Sequence, residues 1–420
     1  MNHLQLVIHD LLTDGTPKSD RTGVGTLSKF GYMQRWDLTE GYPHETAKFT
    51  PFMMNVDELL WIISGSTDLA PLKANKINIW DEWVIPGTEV WGAPYTQLER
   101  MQVMKEMVER RAIHPEQQQQ YLDIWMEHNP GTVMGAREWN DLMDNFNVPK
   151  APLLDGKLGA VYGQQWRNIV DTRIIDPSEE EDYTKRGFEF RGTMLTPEDL
   201  ASGKCNGSMT IVQRRIDQLQ NVINALVNNP DDRGIIVNAW HVPDLDAMAL
   251  RPCHTLFQFY TRLRDWKDVM TDIQFDDDPG RAADFEEFAV GCDAQQRIKA
   301  VYEFAIDKGI PVRHLDLQLY MRSNDSFLGR PFNISQYSLL TMMVAQVVNM
   351  LPGDFILMNG DLHLYQNHLE QAAELISREP VALPQVTLNP NVMSIFDFKR
   401  EDFTIHNYNP LPAIKAPVAK

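Results

Sequence analysis

The sequence has few cysteines and no long apolar segment. Its three cysteines (Cys205, Cys253 and Cys292) are scattered over 420 residues and form no Cys-x-x-Cys pair. They therefore do not indicate a disulfide framework. No apolar run reaches the ~18 residues that a membrane-spanning helix needs, and the N-terminus lacks the basic and apolar regions of a signal peptide. We expect a cytoplasmic protein with no membrane partner.

Positive charge is scarce as well. The chain has 39 lysines and arginines against 58 aspartates and glutamates, which gives a net charge of −19. Binding along a nucleic-acid backbone needs a basic face, so we expect no direct contact with nucleic acid. A small anionic substrate is still compatible with this charge, because a few arginines that converge in one pocket can bind it.

The apolar residues predict helices and strands that are mixed without a regular βαβ alternation. Ile216, Leu219, Val222, Ile223 and Leu226 fall on one face of a helix. The segment HLDLQLYMR alternates like a strand, and NISQYSLLTMMVAQVVNM predicts a buried helix that ends at Pro-Gly. DFILMNGDLHLY then predicts a strand that enters a glycine turn. We therefore predict an α+β fold with a large sheet.

Three segments differ in character from this periodic framework. Residues from about 84 to 157 are charged and contain a glutamine tract, while those from about 171 to 213 are acidic and loop-like. Residues from about 264 to 313 are acidic again. We predict one catalytic domain over residues 1–420 that carries these three segments as insertions. The charged segment 95–126 also motivates another hypothesis, a non-catalytic protein that uses its insertions for binding or assembly.

The stretch RPCHTLFQFY places a cysteine and a histidine before a predicted strand. Adjacent side chains of an extended chain point to opposite faces, so Cys253 and His254 are not expected to form a catalytic pair. Cys253 is either a small core residue or a nucleophile whose thiolate is favoured by a cationic neighbour. A cysteine hydrolase would need a different histidine facing Cys253.

Polar residues at the end of one predicted strand suit the binding of an anion. In MRSND, Arg322 and Ser323 can bind a phosphate, and Asp325 can accept hydrogen bonds from an NH-rich ring. The alternative is a solvated strand end. The segment RTGVGTLSKFG is a weak dinucleotide motif, and we interpret it as a tight turn that presents Arg21.

The segment NGDLHLYQNH ends a second predicted strand. His363 and Tyr365 lie two residues apart, and therefore on one face, which suits paired hydrogen bonds to a sugar hydroxyl. Asp361, His363 and His368 are also possible metal ligands. No HExxH motif or Cys/His set completes such a site, so we predict no metal.

Several segments together resemble the thymidylate synthase family. In chain order they are SDRTGVGTLSKFG, DELLW, IWDEW, LGAVYGQQWR, DLDAMALRPCHTLFQFY, RSNDSFLGRPFNISQYSLL, GDLHLYQNH, SREP and IKAPVA. The resemblance implies a large mixed β-sheet covered by helices and a homodimer formed sheet to sheet. It also implies that 5,10-methylenetetrahydrofolate donates a one-carbon unit to C5 of dUMP through a covalent cysteine adduct.

The resemblance further implies a role for each matching residue. The catalytic set is Cys253 as nucleophile, Arg322 beside it, Glu58 and Tyr162 for proton transfer, and Asp325. The substrate set is Arg21, Arg322, Ser323 and Arg233 of the second subunit for the phosphate, Asn333 for the base, and His363 and Tyr365 for the deoxyribose. The folate set is Ile79, Trp80, Trp83, Asp325, Gly329 and Phe332.

The resemblance leaves two products open. An amide at Asn333 matches uracil, which implies dUMP rather than dCMP. MRSND resembles the phage hydroxymethylase branch, in which water attacks the methylene intermediate, and the chain is closest in kind to a phage dUMP hydroxymethylase in the host cytoplasm. Phe49, Gly234 and His241 also depart from the usual synthase pattern. Trp80 and the IKAPVA tail favour the alternative, a thymidylate synthase that makes dTMP.

Overall fold

The computed structural model describes residues 1–20, 22–83, 158–194, 196, 202, 209–245, 248–275, 278 and 280–418. Contacts divide the chain into two units. The first contains Met1–Gly65, Gln165–Ala239 and Cys253–Lys420, and the second contains Ser66–Gln164 and Trp240–Pro252. The predicted insertion at about 84–157 lies outside the described residues. Within the described ranges, no helix has both the length and the apolar character needed to cross a membrane.

Strands and helices alternate irregularly along the described chain. The strands are β1 (Thr16–Lys18), β2 (Thr26–Asp37), β3 (Ile169–Ile175), β4 (Glu189–Met194), β5 (Met209–Ile216), β6 (Ile236–Asn238), β7 (His254–Leu263), β8 (Arg313–Asp325), β9 (Leu351–Tyr365), β10 (Gln385–Leu388) and β11 (Phe403–His406). The α-helices are α1 (His3–Asp14), α2 (Phe52–Ile63), α3 (Ala70–Ala74), α4 (Gly163–Arg167), α5 (Glu180–Lys185), α6 (Gln218–Asn228), α7 (Trp266–Gln274), α8 (Arg281–Phe288), α9 (Ala294–Asp307), α10 (Gly329–Val347) and α11 (Leu369–Ser377).

A six-stranded mixed sheet forms the centre of the first unit. Its strand order is β1-β2-β9-β8-β7-β6. Strands β8 and β9 are parallel, whereas the other neighbouring strands are antiparallel. This confirms the predicted α+β fold with a large mixed sheet. Helix α10 connects β8 to β9, and a parallel pair joined in this way brings the carboxyl ends of both strands to one edge.

Helix α10 is buried along most of its length, as its apolar pattern predicts. Tyr337 packs on the sheet with its ring centroid 5.5 Å from that of Phe257. The helix ends earlier than predicted, because Asn349 adopts a positive φ of 54° and Met350 N–H donates to the Ala345 carbonyl. Such a closing bond ends a helix before the chain reverses. The following Pro-Gly therefore lies in β9.

The predicted turn at Gly360 is wrong, because β9 runs through this residue without interruption. A Cβ atom at Gly360 would lie 2.9 Å from both the Arg322 carbonyl oxygen and the Tyr320 hydroxyl. Glycine inside a strand often marks a close approach by another backbone. Gly360 therefore allows β8 and β9 to pack closely beside Arg322.

In its described residues, the segment 171–213 is not the loop that its polar composition predicts. Strands β3, β5 and β4 form a separate three-stranded sheet in that order. Ile175, Phe188 and Val212 are buried in it, and Tyr183 packs against them. Ile216 ends β5 rather than joining the following helix, because Asp217 caps α6 by accepting from Gln220 N–H. Apolar spacing alone did not locate this boundary.

The segment 264–313 forms three helices, α7, α8 and α9, with a core of their own. Val269, Ile273, Phe285 and Phe304 are among its buried residues. The segment leaves the sheet after β7 and returns to it at β8. Arg264 N–H donates to the Val312 carbonyl at 3.0 Å, so the two ends of the segment are adjacent.

Candidate active site

Cys253 lies immediately before β7, next to the polar end of β8. Its carbonyl accepts a hydrogen bond from Arg322 N–H at 3.0 Å. Its side chain is a half-buried thiol. The sheet therefore places Cys253, the proposed nucleophile, beside Arg322. Arg322 is the residue that the family resemblance assigns to favour the Cys253 thiolate.

His254 is directed towards helix α10. Its Nε2 lies 2.8 Å from Asn333 Nδ2, and its Nδ1 lies 3.1 Å from the Tyr337 hydroxyl. Part of the residue is exposed, but the ring is desolvated, which lowers the pKa of His254 to about 4. The imidazole is therefore neutral near pH 7. Nε2 accepts from the Asn333 amide, so Nδ1 carries the proton and donates to Tyr337. With both nitrogens in use, His254 is not positioned as a base for Cys253.

The ends of β8 and β9 bring together most of the proposed nucleotide ligands. Ser323 pairs with Asp361, and Asp325 pairs with His363. The rings of His363 and Tyr365 lie edge to face with centroids 5.1 Å apart. Residues from two strands thus line one edge of the sheet.

Asp325 also lies against the start of helix α10. Its Oδ1 accepts from Phe327 N–H at 2.9 Å and Leu328 N–H at 3.2 Å. A Cβ atom at Gly329 would be 3.9 Å from Asp325 Cβ, so these residues are neighbours. Phe332 is half-buried one turn later. The second Asp325 oxygen makes no hydrogen bond to the described residues, so it can accept one from a ligand.

Asp361 holds His363 in place. Its Oδ1 lies 3.2 Å from His363 Nδ1 and accepts from Ser28 Oγ at 2.8 Å, while Oδ2 pairs with Lys18 Nζ at 2.8 Å. The hydrogen bond with His363 is the main reason why the pKa of Asp361 lies well below its usual range. Nδ1 donates to this carboxylate, which leaves Nε2 of His363 for a ligand.

Glu58 lies in a buried polar contact between helices α2 and α10. Gln336 Nε2 donates to Glu58 Oε2 at 2.5 Å. One turn earlier on α2, Asn55 Nδ2 donates to Ser335 Oγ at 2.9 Å. Asn55 Oδ1 is buried and has no hydrogen-bond partner among the described residues. We call Asn55, Glu58, Ser335 and Gln336 the Glu58 polar cluster.

Four of the predicted site residues belong to the second unit. Ile79 is exposed, and Trp83 ends a short 3₁₀-helix. The rings of Trp80 and Tyr162 meet edge to face with centroids 5.7 Å apart. Tyr162 is buried and has a positive φ of 38°. The structure therefore brings the aromatic candidates Trp80 and Tyr162 together within their own unit.

Two proposed phosphate ligands are not placed at the strand edge. Arg21 lies outside the described residues, between Asp20 and Thr22. The following Gly25 has a positive φ of 81°, and its carbonyl accepts from Gln366 N–H at 3.0 Å. Arg233 is exposed in the loop after α6. This position leaves Arg233 accessible to another subunit.

The C-terminal segment lies against the core beside β9. Ile414 and Ala416 pack against the buried cluster that includes Leu364. His368 Nε2 donates to the Pro417 carbonyl at 2.7 Å, and its ring contacts the Tyr365 ring at a centroid distance of 5.7 Å. A single histidine thus contacts both the tail and a proposed sugar ligand.

The family model for thymidylate synthase matches residues 2–277 and 288–420. The chain belongs to the thymidylate synthase family. This thymidylate synthase family member is therefore a one-carbon transferase that acts on dUMP and uses 5,10-methylenetetrahydrofolate as cosubstrate, as the sequence motifs predict. In the described ranges, no group of three or more histidines, cysteines or acidic residues could hold a metal ion.

Two residues of this site were not assigned a role from the sequence. The sequence motif offers Asp361 only as a possible metal ligand, although its position two residues before His363 places both on one face of β9. Gln336 gave no signal, because its partner Glu58 lies 278 positions away. Only the packing of α2 against α10 reveals that contact.

Proposed function

We propose that the protein converts dUMP to 5-hydroxymethyl-dUMP, with water adding to the methylene intermediate. The observation that supports this proposal is the Glu58 polar cluster. A water molecule in a protein interior needs two to four polar partners. Asn55 Oδ1, which is buried without a hydrogen-bond partner in the described residues, and the carboxylate of Glu58 are proposed as two such partners, and Glu58 is also a base that can accept the proton of the attacking water.

In the proposed reaction the Cys253 thiolate adds to C6 of dUMP, which makes C5 nucleophilic. The bound cosubstrate supplies the one-carbon unit. C5 bonds to that carbon and loses its proton, while the bond between the carbon and the cosubstrate nitrogen breaks, so that tetrahydrofolate leaves and an exocyclic methylene remains on C5. Tyr162 is assigned to the proton transfer by the resemblance alone. Water adds to the exocyclic methylene carbon and gives its proton to Glu58. The C6–S bond breaks, which restores the ring double bond and the thiolate without oxidation or reduction of the nucleotide.

We further propose how dUMP is held. Arg322, Ser323 and Arg21 bind the phosphate, and His363 and Tyr365 bind the deoxyribose hydroxyl. Because His254 accepts one N–H of Asn333, the amide of Asn333 is held in one orientation. Its remaining N–H can donate to O4 of uracil and its Oδ1 can accept from N3–H, a pattern that cytosine does not match.

A sheet-to-sheet homodimer is also proposed, with Arg233 given to the partner's phosphate site. Phe257 and Phe259 of β7 are fully buried on the side of the sheet that helix α10 covers. Tyr260 points to the opposite face and is 65% exposed, and Met33 of β2 is 56% exposed. Large apolar side chains on an open sheet face are typical of a subunit interface. We expect Arg233→Ala to lower dUMP affinity in homodimers.

We also propose that the segments at about 171–213 and 264–313 are insertions in one catalytic domain. Each has a small apolar core of its own in the described residues. A segment that buries its own apolar residues can be added to a fold without changing the packing of the main core.

Mass analysis of the nucleotide formed from dUMP and methylenetetrahydrofolate tests the proposed product. We expect 5-hydroxymethyl-dUMP without dihydrofolate. Formation of dTMP with dihydrofolate would contradict this product and identify a thymidylate synthase instead. The packing of Ile414 and Ala416 in the tail favours that alternative. Cys253→Ala is expected to lower kcat by about 10³-fold or more, since it removes the covalent step. Tight dUMP binding without turnover would support a non-catalytic protein instead.

A further inference from the structure

Gln336 donates a buried hydrogen bond to the catalytic candidate Glu58. It is only 2% exposed, Glu58 is 7% exposed, and their side chains meet at 2.5 Å. The two residues lie on different buried helices, so this hydrogen bond connects α10 to α2. A hydrogen bond to an ionised carboxylate in a buried place is roughly twice as strong as one between neutral groups.

The chemistry of an amide suits a group that holds a carboxylate without taking part in proton transfer. A glutamine side chain neither gains nor loses protons near neutral pH, so it cannot compete with Glu58 for the proton of water. It fixes Oε2, and this limits the rotation of the Glu58 carboxylate. The Asn55–Ser335 bond one turn away fixes the same pair of helices. Supporting contacts of this kind keep catalytic groups in a productive geometry.

We propose that Gln336 is a positioning residue, which holds Glu58 so that the carboxylate can accept the proton of the attacking water and handle protons during turnover. This inference rests on the proposed role of Glu58. It assigns no contact between Gln336 and the substrate. The loss of Gln336 should therefore slow the chemical steps and leave nucleotide affinity unchanged.

The test compares Gln336→Met with Gln346→Met. Methionine keeps the length of the side chain and removes the donor. Gln346 is a matched control on the same helix, where its Nε2 donates to the carbonyls of Asn389 and Val392 rather than to Glu58. Gln336→Asn is a second variant, which keeps an amide that is one methylene too short. Melting temperatures identify the conditions in which each variant is folded.

Three quantities are measured for each variant: the Kd of dUMP, kcat, and the release of tritium from dUMP labelled at C5. In Gln336→Met and Gln336→Asn we expect kcat to fall by about 10- to 100-fold, a fraction of the full effect of a general acid–base group. The Kd of dUMP should stay within about 2-fold, since no nucleotide contact is lost. Gln346→Met should retain kcat.

An unchanged kcat in the folded Gln336 variants would overturn the proposal. So would an equal fall in kcat for Gln346→Met, because that result would assign the effect to helix packing alone. The proposed product is tested separately, because it is identified from the nucleotide that the wild-type protein makes. A wrong product can therefore be distinguished from a wrong role for Gln336. Tritium release precedes the choice of product, so a fall in its rate in the Gln336 variants would support the positioning of Glu58 for proton handling even if that product is dTMP.

Discussion

Replacing Gly360 by alanine should weaken dUMP binding through a movement of β8. The added Cβ would lie 2.9 Å from the Arg322 carbonyl, whereas ordinary contacts begin at 3.4 Å, so the two strands must separate by about 0.5 Å. The obstacle is backbone and cannot rotate away. Arg322 and Ser323, the proposed phosphate ligands, must move with it. Hydrogen bonds to charged groups contribute about 1.5–3 kcal/mol each.

Weakening one such bond corresponds to a 10- to 100-fold higher Kd for dUMP, since about 1.4 kcal/mol is tenfold. Overpacking should also lower the free energy of unfolding by about 1–3 kcal/mol. Calorimetric titration with dUMP and thermal unfolding measure the two effects. The control is Gly353→Ala in the same strand, where the Cβ would lie 2.1 Å from Asp316 Oδ1, away from the proposed site. It should lose stability and keep dUMP affinity. Wild-type affinity in folded Gly360→Ala would refute the argument.

Three further predictions concern protonation and the tail. The pKa of Asp361 is lowered mainly by His363, so the stability that this carboxylate contributes is present above the unfolded value near ~4 and is lost as pH falls below it. The melting-temperature difference between wild type and Asp361→Asn should therefore shrink from pH 7 to pH 3, and a constant difference would contradict this. Burial lowers the pKa of His254 to about 4, whereas its pKa in the unfolded chain is near ~6.5. Between these pH values the unfolded chain binds a proton at His254 and the folded chain does not. The free energy of unfolding should therefore fall as the pH is lowered from ~6.5 to about 4. His254→Asn should reduce the slope of this free energy against pH by the equivalent of one proton. An unchanged slope would show that His254 is already protonated in the folded protein. Finally, His368→Phe replaces the imidazole by another ring and removes the donor to Pro417, so tryptic cleavage after Lys415 should accelerate, and an unchanged cleavage rate would show that packing alone holds the tail.

The periodic parts of the fold were predictable, and the contacts between distant segments were not. Alternation in β8 and the apolar face of α10 depend on local spacing, which a sequence displays directly. The sequence around Gly360 predicts a turn, because the atoms that crowd this glycine belong to Arg322 and Tyr320 of another strand. The acidic composition of 171–213 indicated a loop, but Phe188 and Val212 provide enough apolar surface for a small sheet.

In the candidate site too, local motifs were predictable from the sequence and contacts between distant residues were not. Cys253, Arg322 and Asn333 stand in motifs whose order along the chain indicates the chemistry. The hydrogen bond between Gln336 and Glu58 depends on how two helices pack, and no local pattern encodes it. The neutral state of His254 likewise follows from its burial against Tyr337 and Asn333 rather than from its position beside Cys253.

The three-helix segment between β7 and β8 has a consequence for the order of folding. Two antiparallel neighbours would ordinarily join through a tight turn and pair early, but here a whole helical segment must be enclosed first. The entropy lost on closing a flexible loop grows with its length, by about 0.6 kcal/mol per doubling. Because α7, α8 and α9 bury their own apolar residues and leave Arg264 bonded to Val312, a segment that has already folded presents its two ends side by side. Once the three helices have folded, the length of the segment between the strands no longer adds to the entropy lost when β7 pairs with β8.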